Sequence, residues 1–269
     1  MSRGFIIPAQ NTDSVDYVRC AQALAISIRR VMPEADITLL TSDIFIMPKV
    51  ASLFNHIIEL PEGDLAPDSN WKLINDCQVY RASPYDYTIK LEADMFMPRS
   101  IEHWWDILAP RDLVVSSTIR NYKGEISTDR SYRKFIDDNS LPDCYNAITY
   151  FKKSDTAKEF FDVVRNIFDN WSIYKSMLKC NANEPATTDW AYALAAHIIG
   201  KENVLVPGFE EMSMVHMKRH INSLPTDNWT DTLVYECQPE VFRVHTYPQV
   251  YPFHYHIKEF SDILIRAYK

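Results

Sequence analysis

Two carboxylates one residue apart, Glu92 and Asp94, close an apolar run in the stretch Ser83 to Met97, SPYDYTIKLEADMFM. The run opens on Ser83-Pro84 and then carries Tyr87, Thr88, Ile89 and Leu91, residue types that favour a buried strand. Residues i and i+2 of a strand share a face, so both acids point the same way, with only Ala93 between them. Oxygen ligands this close suit Mg²⁺ or Mn²⁺, because the ion offsets the repulsion between the carboxylates. The apolar neighbours Met95, Phe96 and Met97 favour that reading over an ordinary solvated turn. A strand ending in acids delivers them to the carboxyl edge of a sheet, where open α/β folds hold their ligands.

The elements around this strand must bring a ligand to it. Gly4 to Pro8 is a short apolar strand followed by the polar loop 9–13, and Val15 to Met32 repeats apolar residues at helical spacing, with Asp13 or Ser14 as its cap. Asp36 to Leu40 is a second strand that ends at Thr41-Ser42-Asp43, and His56 to Leu60 is a third. Strand, loop and helix in alternation predict an α/β fold of the nucleotide-binding type, with a mainly parallel sheet flanked by helices. Trp71 to Ala82 is expected to be helical and to lead into the central strand. Beyond it, Ile101 to Leu108 reads as a short helix carrying Trp104 and Trp105, Leu113 to Ser117 and Cys144 to Phe151 as strands, and Ser154 to Trp171 as an amphipathic helix capped by Ser154. Pro185 to Asp189 starts a helix that runs through Ile199, Val204 to Val206 is a short strand closed by Pro207-Gly208, and 209–237 shows no regular pattern. Val241 to Tyr247 is a last strand containing His245, before an aromatic and histidine-rich tail and a final helix from Ile257 to Tyr268.

The totals narrow the classes. With 269 residues, 46% apolar and only 5 glycines, the chain can bury a large core, and no repeat or linker divides it. A net charge of −8 gives no globally basic surface for nucleic acid, so any such contact needs a local patch. One stretch qualifies: Arg120 to Lys134 holds five basic residues and two tyrosines, and reads either as a solvated loop or as a lid or acceptor-binding loop. Five scattered cysteines without a CxxC pair fit reduced thiols, and no apolar run approaches a membrane span, so a soluble cytoplasmic protein is expected.

In their order these features resemble the GT-A class of nucleotide-sugar glycosyltransferases, especially small enzymes related to glycogenin and to the galactosyltransferases of lipopolysaccharide synthesis. The matching pieces are the first strand with Ala9-Gln10-Asn11, the helix containing Tyr17 to Ile28, Thr41-Ser42-Asp43, SPYDYTIKLEAD, Tyr145-Asn146-Ala147, Thr188-Asp189-Trp190 and His245 near the end. The resemblance implies a single GT-A-like domain, with a nucleotide-binding part over about 1–118 and an acceptor part over about 119–269. It implies that Glu92-Ala93-Asp94 stands where such enzymes carry Asp-x-Asp, the motif holding Mn²⁺ or Mg²⁺ against the donor diphosphate, with Glu92 departing from the pattern. Asp94 is then the principal metal ligand, and a neutral imidazole from a late strand suits the third place: His245 by position, or else His254 and His256, the remaining alternative being a site without histidine.

The same resemblance assigns the nucleoside to Ala9, Asn11, Tyr17 and Asp43, the donor sugar to Asn146, and sugar or acceptor hydroxyls to Asp189. Tyr17 equally suits a core-facing helix position, and Asp189 a helix cap. Lys90 lies two residues before Glu92 on the same strand face and is placed to pair with it. The wording of the central segment, with Trp104-Trp105 after it, also resembles glycosyltransferase-like proteins of tailed bacteriophages, some of which glycosylate hydroxymethylated bases in DNA. That acceptor would draw phosphate contacts from Arg120 to Lys134 and from Lys218-Arg219-His220. Two rivals stand beside the transferase. A nucleotidyltransferase would use the same acids on a nucleoside triphosphate, but the loop Pro8 to Asp13 lacks the glycine and lysine such enzymes carry; a non-catalytic binding protein would keep the fold, with Glu92 as its only hint.

Overall fold

A computed structural model describes residues 1–43, 45–69, 72–131, 133–181, 183–206 and 209–268. Its strands are β1 (Arg3–Pro8), β2 (Ile37–Thr41), β3 (His56–Glu59), β4 (Tyr87–Leu91), β5 (Met95–Phe96), β6 (Leu113–Ser116), β7 (Ile119–Arg120) and β8 (Tyr145–Lys152), followed by β9 (Met214–His216), β10 (Tyr235–Gln238), β11 (Val241–Val244), β12 (Tyr247–Pro248) and β13 (Phe253–His254). The helices are α1 (Tyr17–Val31), α2 (Pro48–Ala51), α3 (Val79–Ala82), α4 (Trp104–Leu108), α5 (Lys134–Asp138), α6 (Asp155–Asp169), α7 (Trp171–Ser176), α8 (Thr188–Ile199), α9 (Arg219–Asn222) and α10 (Phe260–Ala267).

The main sheet runs β3-β2-β1-β4-β8-β6. Its first four strands are parallel, and β8 is antiparallel to both β4 and β6. This is the mixed, mainly parallel sheet the sequence predicts. Alternation along β1 divides the core: Phe5 and Ile7 pack with Val18, Ala21, Leu24 and Ile28 of α1, whereas Ile6 faces Phe160 and Val164 of α6 and Ala191 and Ala195 of α8. A fully buried sheet between helix layers needs apolar residues on both faces, which is why these strands read as continuous runs. Gly4 has a separate reason: a Cβ there would stand 2.4 Å from the Tyr85 ring, so β1 can pass the buried Tyr85 only without a side chain.

A second sheet, β5-β13-β9-β7, joins segments far apart in sequence. Trp229 anchors it. The indole is wholly buried, donates its Nε1–H to the Tyr255 carbonyl at 2.9 Å and meets Tyr235, Phe253 and Phe260 edge-on. A small antiparallel sheet, β10-β11-β12, packs on the same cluster through Phe242 and Val244.

Several expectations shift. The first helix starts at Tyr17 and is capped by Asp16, which accepts from the Arg19 N–H at 2.8 Å, because a turn closed by Thr12 N–H and the Val15 carbonyl occupies the earlier residues. The segment before β4 is a 3₁₀ helix, Leu73–Gln78, followed by the single turn α3; the expected start at Trp71 lies outside the described residues. Val204 to Val206 is not a strand. A 3₁₀ turn, Lys201–Asn203, precedes it and one bond, from Val115 N–H to the Val204 carbonyl, ties it to β6; Pro207 and Gly208 lie outside the described residues. Among the described residues no helix is long and apolar enough to cross a membrane.

Candidate active site

Glu92 and Asp94 follow β4 directly, and the backbone bond from Glu92 N–H to the Ala147 carbonyl (3.0 Å) extends the sheet to them. The chain then forms β5, whose register sets Met95 opposite His254 and thereby lays β13 against the acids. The His254 Nε2 lies 3.0 Å from Asp94 Oδ2 and 3.3 Å from Glu92 Oε2. A parallel pairing sets His216 of β9 beside His254, with Nδ1 to Nδ1 at 3.1 Å. His256 completes the group from a left-handed conformation (φ 60°), which folds its ring back onto His254 at 4.1 Å between centroids. A non-glycine residue held at positive φ costs on the order of 1 kcal/mol, and strain of this kind concentrates at functional sites.

Ligands in adjacent positions around a cation with bonds of about 2.1 Å stand about 3 Å apart. The spacings between His254 and the two acids match that figure, and one imidazole with two carboxylates suits a divalent ion of the Mn²⁺ type. The donor set therefore fits the metal the sequence implies. A second group, His216, His254 and His256, shares His254 with the first.

The electrostatics bind these groups together. Burial favours the neutral form of Asp94, but His254 and the Lys258 ammonium outweigh it and hold the carboxyl well below its usual range. Burial pushes the Glu92 carboxyl up, an effect that His254 and Lys90 oppose. Burial, reinforced by neighbouring positive charge, holds the His216 and His256 imidazoles well below their usual value, so both are neutral and able to act as ligands. Lys258 resists burial because Asp94 raises its pKa, and its ammonium stands 5.5 Å from the centre of the Tyr17 ring.

These residues form one wall of a cleft of about 800 Å³ at the carboxyl ends of β1 and β4. Ala9, Tyr17, Asn146 and Asp189 also line it. Tyr17 packs partly on the core as well. Asn146 donates from Nδ2 to Glu92 Oε1 at 2.7 Å, and its backbone N–H donates to Asp189 Oδ1 at 3.0 Å. The cap of α8 is Thr187, whose hydroxyl accepts from Trp190 N–H, so Asp189 is free of capping and is held by Arg133 instead.

Four expected residues stand elsewhere. His245 is exposed at the turn between β11 and β12, at φ 51°, with its ring against Tyr122, and lies outside the cleft lining and both ligand groups; the hairpin turns it away from the acids. Lys90 is wholly buried and pairs with Asp76 at 2.6 Å rather than with Glu92, because the strand face it shares with Glu92 is roofed there by the 3₁₀ helix. Asn11 and Asp43 brace the rim without lining the cleft: Asn11 accepts from Val18 N–H, and Asp43 accepts from Asn11 N–H and the Thr41 hydroxyl. Most basic residues of the loop pair with acids elsewhere in the chain, Arg120 with Glu210, Arg130 with Asp137 and Asp143, Arg133 with Asp143 and Asp189, and Lys134 with Asp138; Tyr132 lies outside the described residues.

Among the cleft residues that escaped the sequence reading are His216, Lys258 and Asp76. Lys258 was signalled by the alternation His254-x-His256-x-Lys258. His216 sits in Met214-Val215-His216-Met217, an apolar run with one imidazole, inside the segment without a regular pattern.

No protein-family model matches the chain, and no curated protein is similar enough to match it. Solved structures do match in fold. The galactosyltransferase LgtC in complex with donor and acceptor sugar analogues aligns over 97% of this chain and 94% of its own, with a TM-score of 0.54 at 13% identity. An active-site variant of LgtC aligns over 98% and 95%, with a TM-score of 0.51 at 12% identity. The fold is that of the GT-A glycosyltransferases.

Proposed function

We propose that the chain is a metal-dependent glycosyltransferase moving a sugar from a nucleoside diphosphate to an acceptor hydroxyl. The observation that carries this reading is the convergence of Glu92, Asp94 and His254, spaced as ligands, on the wall of a cleft in a GT-A fold. In it, Asp94, Glu92 and His254 hold Mn²⁺ or Mg²⁺, which when bound stabilises the charge of the leaving diphosphate. Lys258 adds a second positive charge beside the same phosphates. Ala9 and Tyr17 face the nucleoside, and Asn146 and Asp189 hold the sugar or the acceptor hydroxyl, with Arg133 fixing the Asp189 carboxylate. On this reading the nucleotide-binding part, about 1–118, and the acceptor part, about 119–269, both line the cleft.

The acceptor hydroxyl is read as belonging to a compound other than hydroxymethylated DNA, because most of the positive charge in the loop 120–134 is engaged within the chain. Five free cysteines suit a reducing compartment, so the reading places the enzyme in the cytoplasm. Calorimetry with a panel of nucleoside diphosphate sugars, with and without Mn²⁺, tests the proposal. Ion-dependent binding followed by sugar release supports it. Binding of a nucleoside triphosphate with release of pyrophosphate would make the chain a nucleotidyltransferase, and sugar-nucleotide binding without turnover would make it a binding protein.

A further inference from the structure

Asp76 occupies the inner wall of the cleft, from the 3₁₀ helix Leu73–Gln78. One of its oxygens, Oδ2, accepts from three donors: Lys90 Nζ at 2.6 Å, Asn146 Nδ2 at 3.3 Å and the Tyr192 hydroxyl at 3.3 Å. Lys90 and Tyr192 are wholly buried, and Lys90 Nζ donates as well to the Asn146 carbonyl at 2.9 Å, so this carboxylate is fixed from behind by groups that are themselves held. Among the described residues no donor reaches its second oxygen, Oδ1, although the side chain keeps 12% exposure to the cleft. A carboxylate clamped on one oxygen is a preorganised acceptor on the other.

A second observation points to the same place. Thr188 lines the cleft one turn before Tyr192 on α8, so the two side chains share a helix face. Its hydroxyl is buried without a partner, an arrangement that costs free energy unless a ligand supplies one. Asn146, read above as holding the sugar, links Asp76 to Glu92 and so puts Asp76 next to the proposed ion site.

We propose that Asp76, with Thr188 beside it, reads one hydroxyl of the donor sugar and so selects which sugar is transferred. The inference rests on the transferase reading above. Calorimetry of the whole chain with Mn²⁺, comparing nucleoside diphosphate hexoses with the matching nucleoside diphosphates, separates the two. If wild type binds no sugar nucleotide, the transferase reading falls before any variant is made. If it binds one, Asp76→Asn turns the cleft-facing acceptor into a donor, and the sugar nucleotide is expected to bind about ten- to a hundred-fold more weakly while the nucleoside diphosphate is unaffected. Lys90→Met combined with Asp76→Asn removes the buried ammonium together with its counter-charge, keeps the chain foldable and is expected to show the same selective loss. Among monodeoxy donors, one is expected to bind wild type as weakly as the parent sugar binds Asp76→Asn, with no further loss in the variant. Equal losses for both ligands, no loss for either, or additive losses would overturn the proposal and leave Asp76 a structural counter-ion to Lys90.

Discussion

The two halves of the proposed metal site are built by different means. Glu92 and Asp94 are fixed by local sequence: an apolar strand in the middle of the mixed main sheet ends, and the next residues are acids. The histidines depend on long-range pairing, since His254 reaches the acids only through β13 against β5, and His216 only through β9 against β13. A carboxylate pair can thus be placed by a few neighbours, whereas the imidazoles need the whole second sheet and its Trp229 anchor. Damage to one half should leave the other recognisable.

The largest effect is expected at Asp94, which both His254 and Lys258 contact. Asp94→Ala should lower metal-dependent hydrolysis of the donor by on the order of a thousandfold, since a bound cation contributes several kcal/mol to such a reaction. Full activity in that variant would reject the assignment. Next comes Trp229→Ala, which empties the centre of the second cluster and should cost about 3–5 kcal/mol in denaturant unfolding. It should also weaken Mn²⁺ binding through His254; an unchanged ion affinity would show that the second sheet does not position the imidazoles.

A smaller change should follow Glu92→Gln. The amide keeps an oxygen for Asn146 but loses a ligand charge, and Mn²⁺ should bind about tenfold more weakly by calorimetry. The smallest is His245→Ala, for which ion affinity, turnover and stability should all match wild type, because the ring is exposed on a hairpin turn. A loss of ion binding there would restore the role that chain order suggests for it.

The same contrast explains what could be read from the letters. β1, β2, β4 and β8 were legible because each is a continuous apolar run, and the parallel pairing of the first strands, β1 to β3, followed from their alternation with helices. The acids were legible as part of that run. β9 was not: three residues give no periodicity, and its partners lie on β7 and β13. His245 drew attention because it closes a readable strand, yet its left-handed backbone turns the chain back into a hairpin. Asp76 and Lys90 show the remaining gap. Strand alternation correctly gave Lys90 the face of Glu92, but the partner that claims it comes from a helix whose contact with that face no local pattern reveals.

Pulsed electron paramagnetic resonance on the Mn²⁺-loaded chain tests the central claim most directly, since it detects nitrogen bound to the ion. Hyperfine coupling to an imidazole nitrogen is predicted, abolished by His254→Ala and unchanged by His245→Ala. An ion with no nitrogen coupling, or with a coupling indifferent to His254, would contradict the proposed joining of the central strand's acids to the late histidine.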